Sequence, residues 1–151
     1  MHDNRPKILI ADDDPEMLSL LVDVLEPDGY KLLLAQDVQG AIQLAVAHEP
    51  ELMLLDVVMP DGGGYAICRE LNERAPEQRP VVIFLTGLDQ PEQMQHAFSL
   101  GAADYITKPF SIALLRTRVR TWLVRLGRLG PGDASITASP PAADPTQPPV
   151  S

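Results

Sequence analysis

Several features that mark particular classes of protein are scarce in this sequence. Its 151 residues include one cysteine, Cys68, so no internal disulfide can form. No apolar run approaches the roughly 18 residues that span a membrane, and no signal-peptide segment follows the opening residues MHDNRPK. Lys and Arg number 12 against 21 Asp and Glu, a balance opposite to that of nucleic-acid-binding domains. We therefore expect a cytoplasmic protein without a membrane span and without direct nucleic-acid contact.

Composition and charge divide the chain into three parts. The net charge is −12 over residues 1–110, +5 over residues 111–128, where all five charged residues are Arg, and −2 over residues 129–151. The last part is rich in Pro and Ala and has no aromatic residue, so it has too little apolar surface to offset the entropy of ordering. The sequence predicts a folded domain over residues 1–126 and a flexible tail over residues 127–151.

Hydrophobic residues upstream of the tail alternate between short apolar runs and longer amphipathic stretches. This alternation is typical of an α/β protein whose parallel sheet is covered by helices on both faces. The predicted strands are residues 8–11, 32–35, 52–55, 81–85 and 105–106. The predicted helices lie near residues 15–26, 38–48, 64–75, 91–100 and 111–126. The pattern thus predicts a (βα)5 fold.

Acidic residues gather where the predicted strands end. Asp12-Asp13-Asp14 follows the first strand and Asp56 follows the third. In an open parallel sheet, these ends share the edge at which ligands bind. Carboxylates held close together repel one another unless a cation neutralises them, and their oxygens suit Mg²⁺. Three consecutive Asp residues alone would indicate capping of the next helix, but their combination with Asp56 favours a divalent metal site.

Four motifs resemble the receiver domain of bacterial two-component response regulators. They are ILIADDDPE, LLDVVMPDGGG, FLTG and DYITKPF, in the order and at the spacing of that family, and the resemblance covers about residues 7–126. It implies a doubly wound, flavodoxin-like sheet of five parallel strands in the order 2-1-3-4-5.

The resemblance implies a role for the acidic residues at the sheet edge. Asp56 is the implied phosphoacceptor, whose acyl phosphate would conserve the transfer potential of a phosphohistidine donor. Asp14 lies outside the implied metal site, and we interpret it as a helix cap that precedes Pro15. The implied cofactor is Mg²⁺, held by four groups: the side chains of Asp12, Asp13 and Asp56 and the backbone carbonyl of Val58.

Other positions match residues that contact the phosphoryl group or shape the site. Thr86 is the implied hydroxyl partner of the phosphoryl group, and Lys108 is the implied positive charge beside it. Tyr105 matches the aromatic switch residue whose rotamer is coupled to Thr86. The run Gly62-Gly63-Gly64 is richer in glycine than the family usually shows, which favours a more mobile loop. The resemblance implies loop-shaping roles for four residues: Pro60, Gly64, Gly87 and Pro109. It also implies that the peptide bond before Pro109 is cis.

The resemblance implies a protein that accepts a phosphoryl group from a sensor histidine kinase or a histidine phosphotransfer protein. It would catalyse only its own phosphorylation and dephosphorylation. Because the residues after the domain are too few for an effector domain, we expect a single-domain member that signals by contact with a downstream effector protein or as a homodimer. The expected contact surface comprises the fourth helix, the fifth strand and the arginine-rich fifth helix. The apolar stripe of the fifth helix is explained equally well as part of this surface or as a face buried in the core.

Two alternatives stay open beside this hypothesis. One is a pseudo-receiver that binds partners as a scaffold without being phosphorylated, and the other is the N-terminal receiver fragment of a longer response regulator. A pseudo-receiver usually lacks one of five residues, all of which are present here: Asp12, Asp13, Asp56, Thr86 and Lys108. The phosphorylation-operated switch is therefore the favoured hypothesis.

Overall fold

The computed structural model of the chain describes residues 4–129. These residues divide into two compact units, one that ends at Phe110 and one that begins at Ser111. The predicted flexible tail lies outside the described residues, apart from residues 127–129. Within the described part of the chain, no helix is long and apolar enough to cross a membrane.

The first unit holds a five-stranded parallel sheet with four helices. The strands follow one another in space as β2-β1-β3-β4-β5, which confirms the predicted order. Two short 3-10 turns, Glu26–Asp28 and Pro60–Gly62, interrupt the connections. The strands are β1 Lys7–Ala11, β2 Lys31–Ala35, β3 Leu52–Leu55, β4 Val81–Thr86 and β5 Asp104–Thr107. The helices are α1 Pro15–Leu25, α2 Val38–His48, α3 Gly63–Arg74 and α4 Pro91–Ser99.

The strand order places α1 and α2 on opposite faces of the sheet. β2 lies on one side of β1, and the chain then returns past β1 to reach β3 on the other side. Since crossovers between parallel strands are right-handed, the two helices cover different faces. Leu9 and Ala11 belong to an apolar cluster with residues of α2 and α3. Ile8 and Ile10, which point to the other face, are fully buried as well, so both faces of the sheet are covered.

The direction of winding changes between β1 and β3. Ala11 pairs with Leu55 in the register of these two strands. The next residues, Asp12 and Asp56, therefore stand at neighbouring strand ends, and the Asp56 N–H donates to the Ala11 carbonyl at 3.0 Å. Ligands of open α/β sheets bind in the crevice at such a switch point. The topology alone thus brings Asp12, which follows β1, next to Asp56, which follows β3.

The second unit contains α5, which spans Ile112–Arg125. The hydroxyl of Ser111 caps the helix by accepting a hydrogen bond from the Leu114 N–H at 3.1 Å. The guanidinium carbon of Arg125 lies 5.0 Å from the centre of the Trp122 ring. Three apolar residues of α5, spaced four apart along one side of the helix, are buried: Leu115, Val119 and Leu123.

Asp14 caps α1, as we interpreted it from the sequence. Its side chain accepts a hydrogen bond from the Glu16 N–H at 2.9 Å, and Pro15 is the first residue of the helix. We expect Asp14→Ala to lower the free energy of unfolding by about 1 kcal/mol, measured by urea denaturation. Asp37→Ala is the matched control, because Asp37 caps α2 through the Gly40 N–H at 2.7 Å. A loss at Asp37 without a similar loss at Asp14 would contradict the capping role.

Candidate functional site

Lys108 joins two of the carboxylates at the sheet edge. Its Nζ donates to Asp12 Oδ2 at 2.8 Å and to Asp56 Oδ2 at 3.0 Å. The residue follows β5 directly, and its backbone N–H donates to the Thr86 carbonyl at 2.8 Å. The peptide bond between Lys108 and Pro109 is cis, as the family resemblance implies. The residues that follow β1, β3 and β5 therefore place the Lys108 ammonium group between the carboxylates of Asp12 and Asp56.

The carboxylates of the site differ in their exposure. Asp12 is 2% exposed and Asp56 is 7% exposed, whereas Asp13 is exposed to solvent. Burial raises the pKa of Asp12, although its hydrogen bonds to Lys108 and to the Asp14 N–H act in the opposite direction. Burial acts to lower the pKa of Lys108, but its hydrogen bonds to the two carboxylates outweigh this and raise the pKa. Lys108 is therefore a fixed positive charge at neutral pH.

The three predicted metal-binding side chains come together in the structure. One carboxylate oxygen from each of Asp12, Asp13 and Asp56 lies within 4.8 Å of the others. With Lys108 beside them, these four side chains have a formal charge of −2 when all are ionised. A hard divalent cation with a preference for oxygen ligands fits both this donor set and this charge. The acidic cluster can therefore hold a metal ion.

Val58 contacts the proposed phosphoacceptor through its backbone. Its N–H donates to Asp56 Oδ1 at 2.9 Å, while its side chain is 55% exposed. Both carboxylate oxygens of Asp56 thus have a hydrogen-bond donor, one from Val58 and one from Lys108. The metal-binding role of the Val58 carbonyl stays a prediction from the resemblance.

Thr86 and Tyr105 are linked through the backbone of Leu88. The fully buried Thr86 accepts a long hydrogen bond from the Leu88 N–H, at 3.4 Å from Oγ1. The Leu88 carbonyl accepts a hydrogen bond from Tyr105 Oη at 2.6 Å. Gly87, between them, is exposed, and a Cβ atom there would meet nothing within 4 Å. The loop after β4 therefore connects the two residues that the resemblance names as a switch.

The glycine run at the start of α3 lies against the backbone of the residues that follow β3. The Gly64 N–H donates to the Asp56 carbonyl at 2.8 Å. A Cβ atom at Gly63 would overlap the Val57 carbonyl oxygen, and one at Gly64 would stand 2.7 Å from a ring carbon of Phe84. The sequence suggested mobility as the reason for these glycines, whereas the structure gives close packing as the reason. Pro60 begins the short 3-10 turn that precedes them.

Cys68 is buried, and burial raises the pKa of its thiol to about 12, which fits a small apolar side chain rather than a nucleophile.

Tyr65 was not identified from the sequence, yet its ring and hydroxyl contact both β4 and α4. An aromatic residue at the start of a helix is too common a pattern to have indicated this role.

Comparisons with known proteins agree with this geometry. The family model described as "Response regulator receiver domain" matches residues 8–120. A probable cyclic di-GMP phosphodiesterase of Vibrio cholerae is 38% identical over 77% of this chain and 26% of its own length. The DNA-binding regulator RpaA of Synechocystis is 37% identical over 82% of this chain and 52% of its own length. The chain thus spans about a quarter and about half of these two relatives.

A solved structure supports the same assignment. The receiver domain of DrrB from Thermotoga maritima, in a structure described as BeF3 activated, is 34% identical with a TM-score of 0.70. The alignment covers 80% of this chain and 99% of that one. The doubly wound sheet, the acidic cluster at its switch point and the match over residues 8–120 lead to one conclusion: this chain belongs to the response regulator receiver domain family.

Proposed function

We propose that Asp56 accepts a phosphoryl group from a phosphohistidine of a sensor histidine kinase or a histidine phosphotransfer protein. The observation that carries this proposal is the contact of Lys108 Nζ with both Asp12 and Asp56, beside the exposed carboxylate of Asp13. A nucleophilic carboxylate with a fixed cation and additional anionic ligands next to it suits phosphoryl transfer, which depends mainly on positioning and charge neutralisation.

In the proposed step, a carboxylate oxygen of Asp56 attacks the phosphorus atom. The new O–P bond forms as the N–P bond of the donor breaks, and the electron pair of that bond stays on the imidazole nitrogen. Lys108 stays protonated and faces the charge that accumulates on the phosphoryl oxygens. Thr86 supplies a hydroxyl at the end of β4 for a phosphoryl oxygen. The product is an acyl phosphate on Asp56.

We propose Mg²⁺ as the cofactor of this reaction, bound by Asp12, Asp13, Asp56 and the Val58 carbonyl. When bound, it supplies positive charge that offsets the repulsion between the acidic site and the phosphoryl dianion. Asp12 is oriented for this task by its hydrogen bond from the Asp14 N–H at 2.9 Å. Asp13, which is exposed, lies at the solvent side of the cluster.

The proposed output is a change in protein contacts. A phosphoryl group that draws the Thr86 hydroxyl toward it would release the Leu88 N–H, and the Leu88 carbonyl is bonded to Tyr105. We propose that α4 and β5 form a contact surface for an effector or for a second copy of the chain, and that the arginine-rich α5 is a further contact element. The names of the two curated relatives describe effector activities. The phosphodiesterase is about four times as long as its matched part, and RpaA is about twice as long as its matched part.

The experiment that tests this function is phosphorylation by a small phosphodonor. With Mg²⁺ and acetyl phosphate, we expect intact-mass spectra to show one added phosphoryl group, and none when EDTA removes the metal. A protein that gains no phosphoryl group under these conditions, while another receiver domain is modified by the same acetyl phosphate, would contradict the proposal.

Asp13 offers a test of the metal site that leaves the acceptor unchanged. We expect Asp13→Asn to raise the Mg²⁺ concentration for half-maximal phosphorylation by at least about tenfold, because the cluster loses one anionic ligand. Asp14→Asn is the matched control, since Asn caps a helix as well as Asp and residue 14 lies outside the cluster. Equal Mg²⁺ requirements for the two variants would exclude Asp13 as a ligand.

A further inference from the structure

Tyr65, in the first turn of α3, links the segment after Asp56 to α4. It follows Gly64, whose N–H donates to the Asp56 carbonyl at 2.8 Å. The Tyr65 hydroxyl lies 3.1 Å from the carbonyl oxygen of Gln93 and 3.0 Å from its Oε1, so it can donate to either. The ring of Tyr65 also meets the ring of His96 edge to face, with 4.6 Å between their centres. Both Gln93 and His96 belong to α4.

The same ring is anchored in the core of the first unit. Tyr65 packs edge to face on Phe84 at 5.3 Å between ring centres, and Phe84 is fully buried in β4. Burial raises the pKa of Tyr65, so its hydroxyl remains a proton donor at neutral pH. This contact reaches α4 without passing through Thr86 or Tyr105, the two residues of the switch described above.

α4 has few other anchors among its described residues. Ala97 is the one residue of α4, as described, that is buried. The helix begins after Gln90 without a hydrogen bond from a capping side chain, and Phe98 near its end is 45% exposed. A helix that buries so little apolar surface depends strongly on the contacts at its edge. The hydroxyl of Tyr65 is therefore expected to contribute strongly to the local stability of α4.

We propose that Tyr65 is a positioning residue that holds α4 against the first turn of α3 and transmits a change at Asp56 to α4. The route runs from the Asp56 carbonyl through the Gly64 N–H and Tyr65 to Gln93. It shares no hydrogen bond with the route through Thr86, Leu88 and Tyr105, although Phe84 lies against the rings of both Tyr65 and Tyr105. The transmission rests on the proposed function, because it takes Asp56 as the place where the change begins.

Tyr65→Phe tests the contact, since it keeps the ring and removes the hydroxyl. In the unmodified full chain we expect amide hydrogen exchange in residues 93–97 to become about five- to tenfold faster, with no change in α1 or α2. Beryllofluoride, a phosphoryl mimic, tests the transmission. With Mg²⁺ it should change the exchange of α4 in the wild type, and this response should fall to about half or less in Tyr65→Phe.

Three controls separate positioning from a general loss of structure. Binding of beryllofluoride, followed by ¹⁹F NMR, should be the same within about twofold for wild type and Tyr65→Phe, because Tyr65 touches none of the site carboxylates. Tyr105→Phe removes a hydroxyl from the other route and should speed exchange in residues 87–90 rather than in residues 93–97. The ring-proton shifts of His96 should move in Tyr65→Leu and be restored in Tyr65→Phe.

The outcomes against the proposal are equally specific. Unchanged exchange of α4 in Tyr65→Phe, or an equal acceleration throughout the first unit, would overturn the contact role. An undiminished response of α4 to beryllofluoride in that variant would overturn the transmission. If the wild type binds no beryllofluoride, the proposed function and the transmission both fail, whereas selectively faster exchange in residues 93–97 would still establish Tyr65 as the anchor of α4.

Discussion

Asp56→Asn is expected to incorporate no phosphoryl group from acetyl phosphate under conditions in which the wild type is fully modified. The amide oxygen of Asn is uncharged and a far weaker nucleophile than a carboxylate, so it does not displace the leaving group of the phosphodonor. Asn also places a donor group where Asp56 Oδ2 accepts a hydrogen bond from Lys108 at 3.0 Å. The measurement is the intact-mass spectrum at matched times after phosphodonor is added with Mg²⁺.

Asp61→Asn is the control for this variant. Asp61 lies in the same loop, is exposed, and has a φ of 67°, a backbone conformation that Asn adopts readily. It removes one negative charge near the site without touching the cluster of Asp12, Asp13 and Asp56. Equal modification of wild type and Asp56→Asn would show that another residue is the acceptor. Loss in both variants would point to the charge of the loop rather than to the identity of the acceptor.

The position of Asp56 beside Asp12 could be predicted from sequence because parallel strands place their ends at one edge. β1 and β3 are buried on both faces and read as short apolar runs, so the positions of Asp12 and Asp56 follow from where those runs stop. The pairing of Ala11 with Leu55 then makes them neighbours. The strand order itself came from the resemblance, since apolar runs do not specify which strands are adjacent.

Contacts made by backbone conformation and by distant side chains were not predictable in this way. Gly63, which has a φ of 58°, lies so close to the Val57 carbonyl that a Cβ atom there would overlap its oxygen, and a run of three glycines does not reveal such an approach. The bond from Tyr65 to Gln93 joins residues 28 apart on two helices, and no periodicity links them. Such contacts depend on the packed positions of elements rather than on local pattern.

The lifetime of the acyl phosphate on Asp56 depends on whether a side chain can orient water toward the phosphorus atom. Val58, two residues after Asp56, is 55% exposed and donates its N–H to Asp56 Oδ1, so its side chain stands at the mouth of the site. Leu88, two residues after Thr86, is half-buried and packs against the core cluster. Neither apolar side chain can hydrogen-bond a water molecule or accept its proton. We therefore expect a comparatively slow loss of the phosphoryl group, which suits a stored signal or a relay to another histidine.

The glycines near the site bear on the same question. Missing side chains admit water where they leave open space, and Gly87 is such a position because a Cβ atom there would meet nothing within 4 Å. Gly63 and Gly64 are different, since the loop that contains them is buried against the backbone of Asp56 and Val57. Of these glycines, Gly87 therefore offers water the more open path.

Val58→Asn combined with Leu88→Glu tests whether these two side chains set the lifetime. We expect the phosphorylated double variant to lose its phosphoryl group at least about tenfold faster than wild type, because Asn can orient a water molecule and Glu can accept its proton. Decay is followed by intact-mass spectrometry after the phosphodonor is removed. The matched control, Val58→Ile with Leu88→Met, changes both side chains without introducing a hydrogen-bonding group, and it should decay within about threefold of wild type. If the polar variant decays no faster than this control, water reaches the phosphorus atom without help from either position, and access at Gly87 rather than side-chain chemistry governs the lifetime.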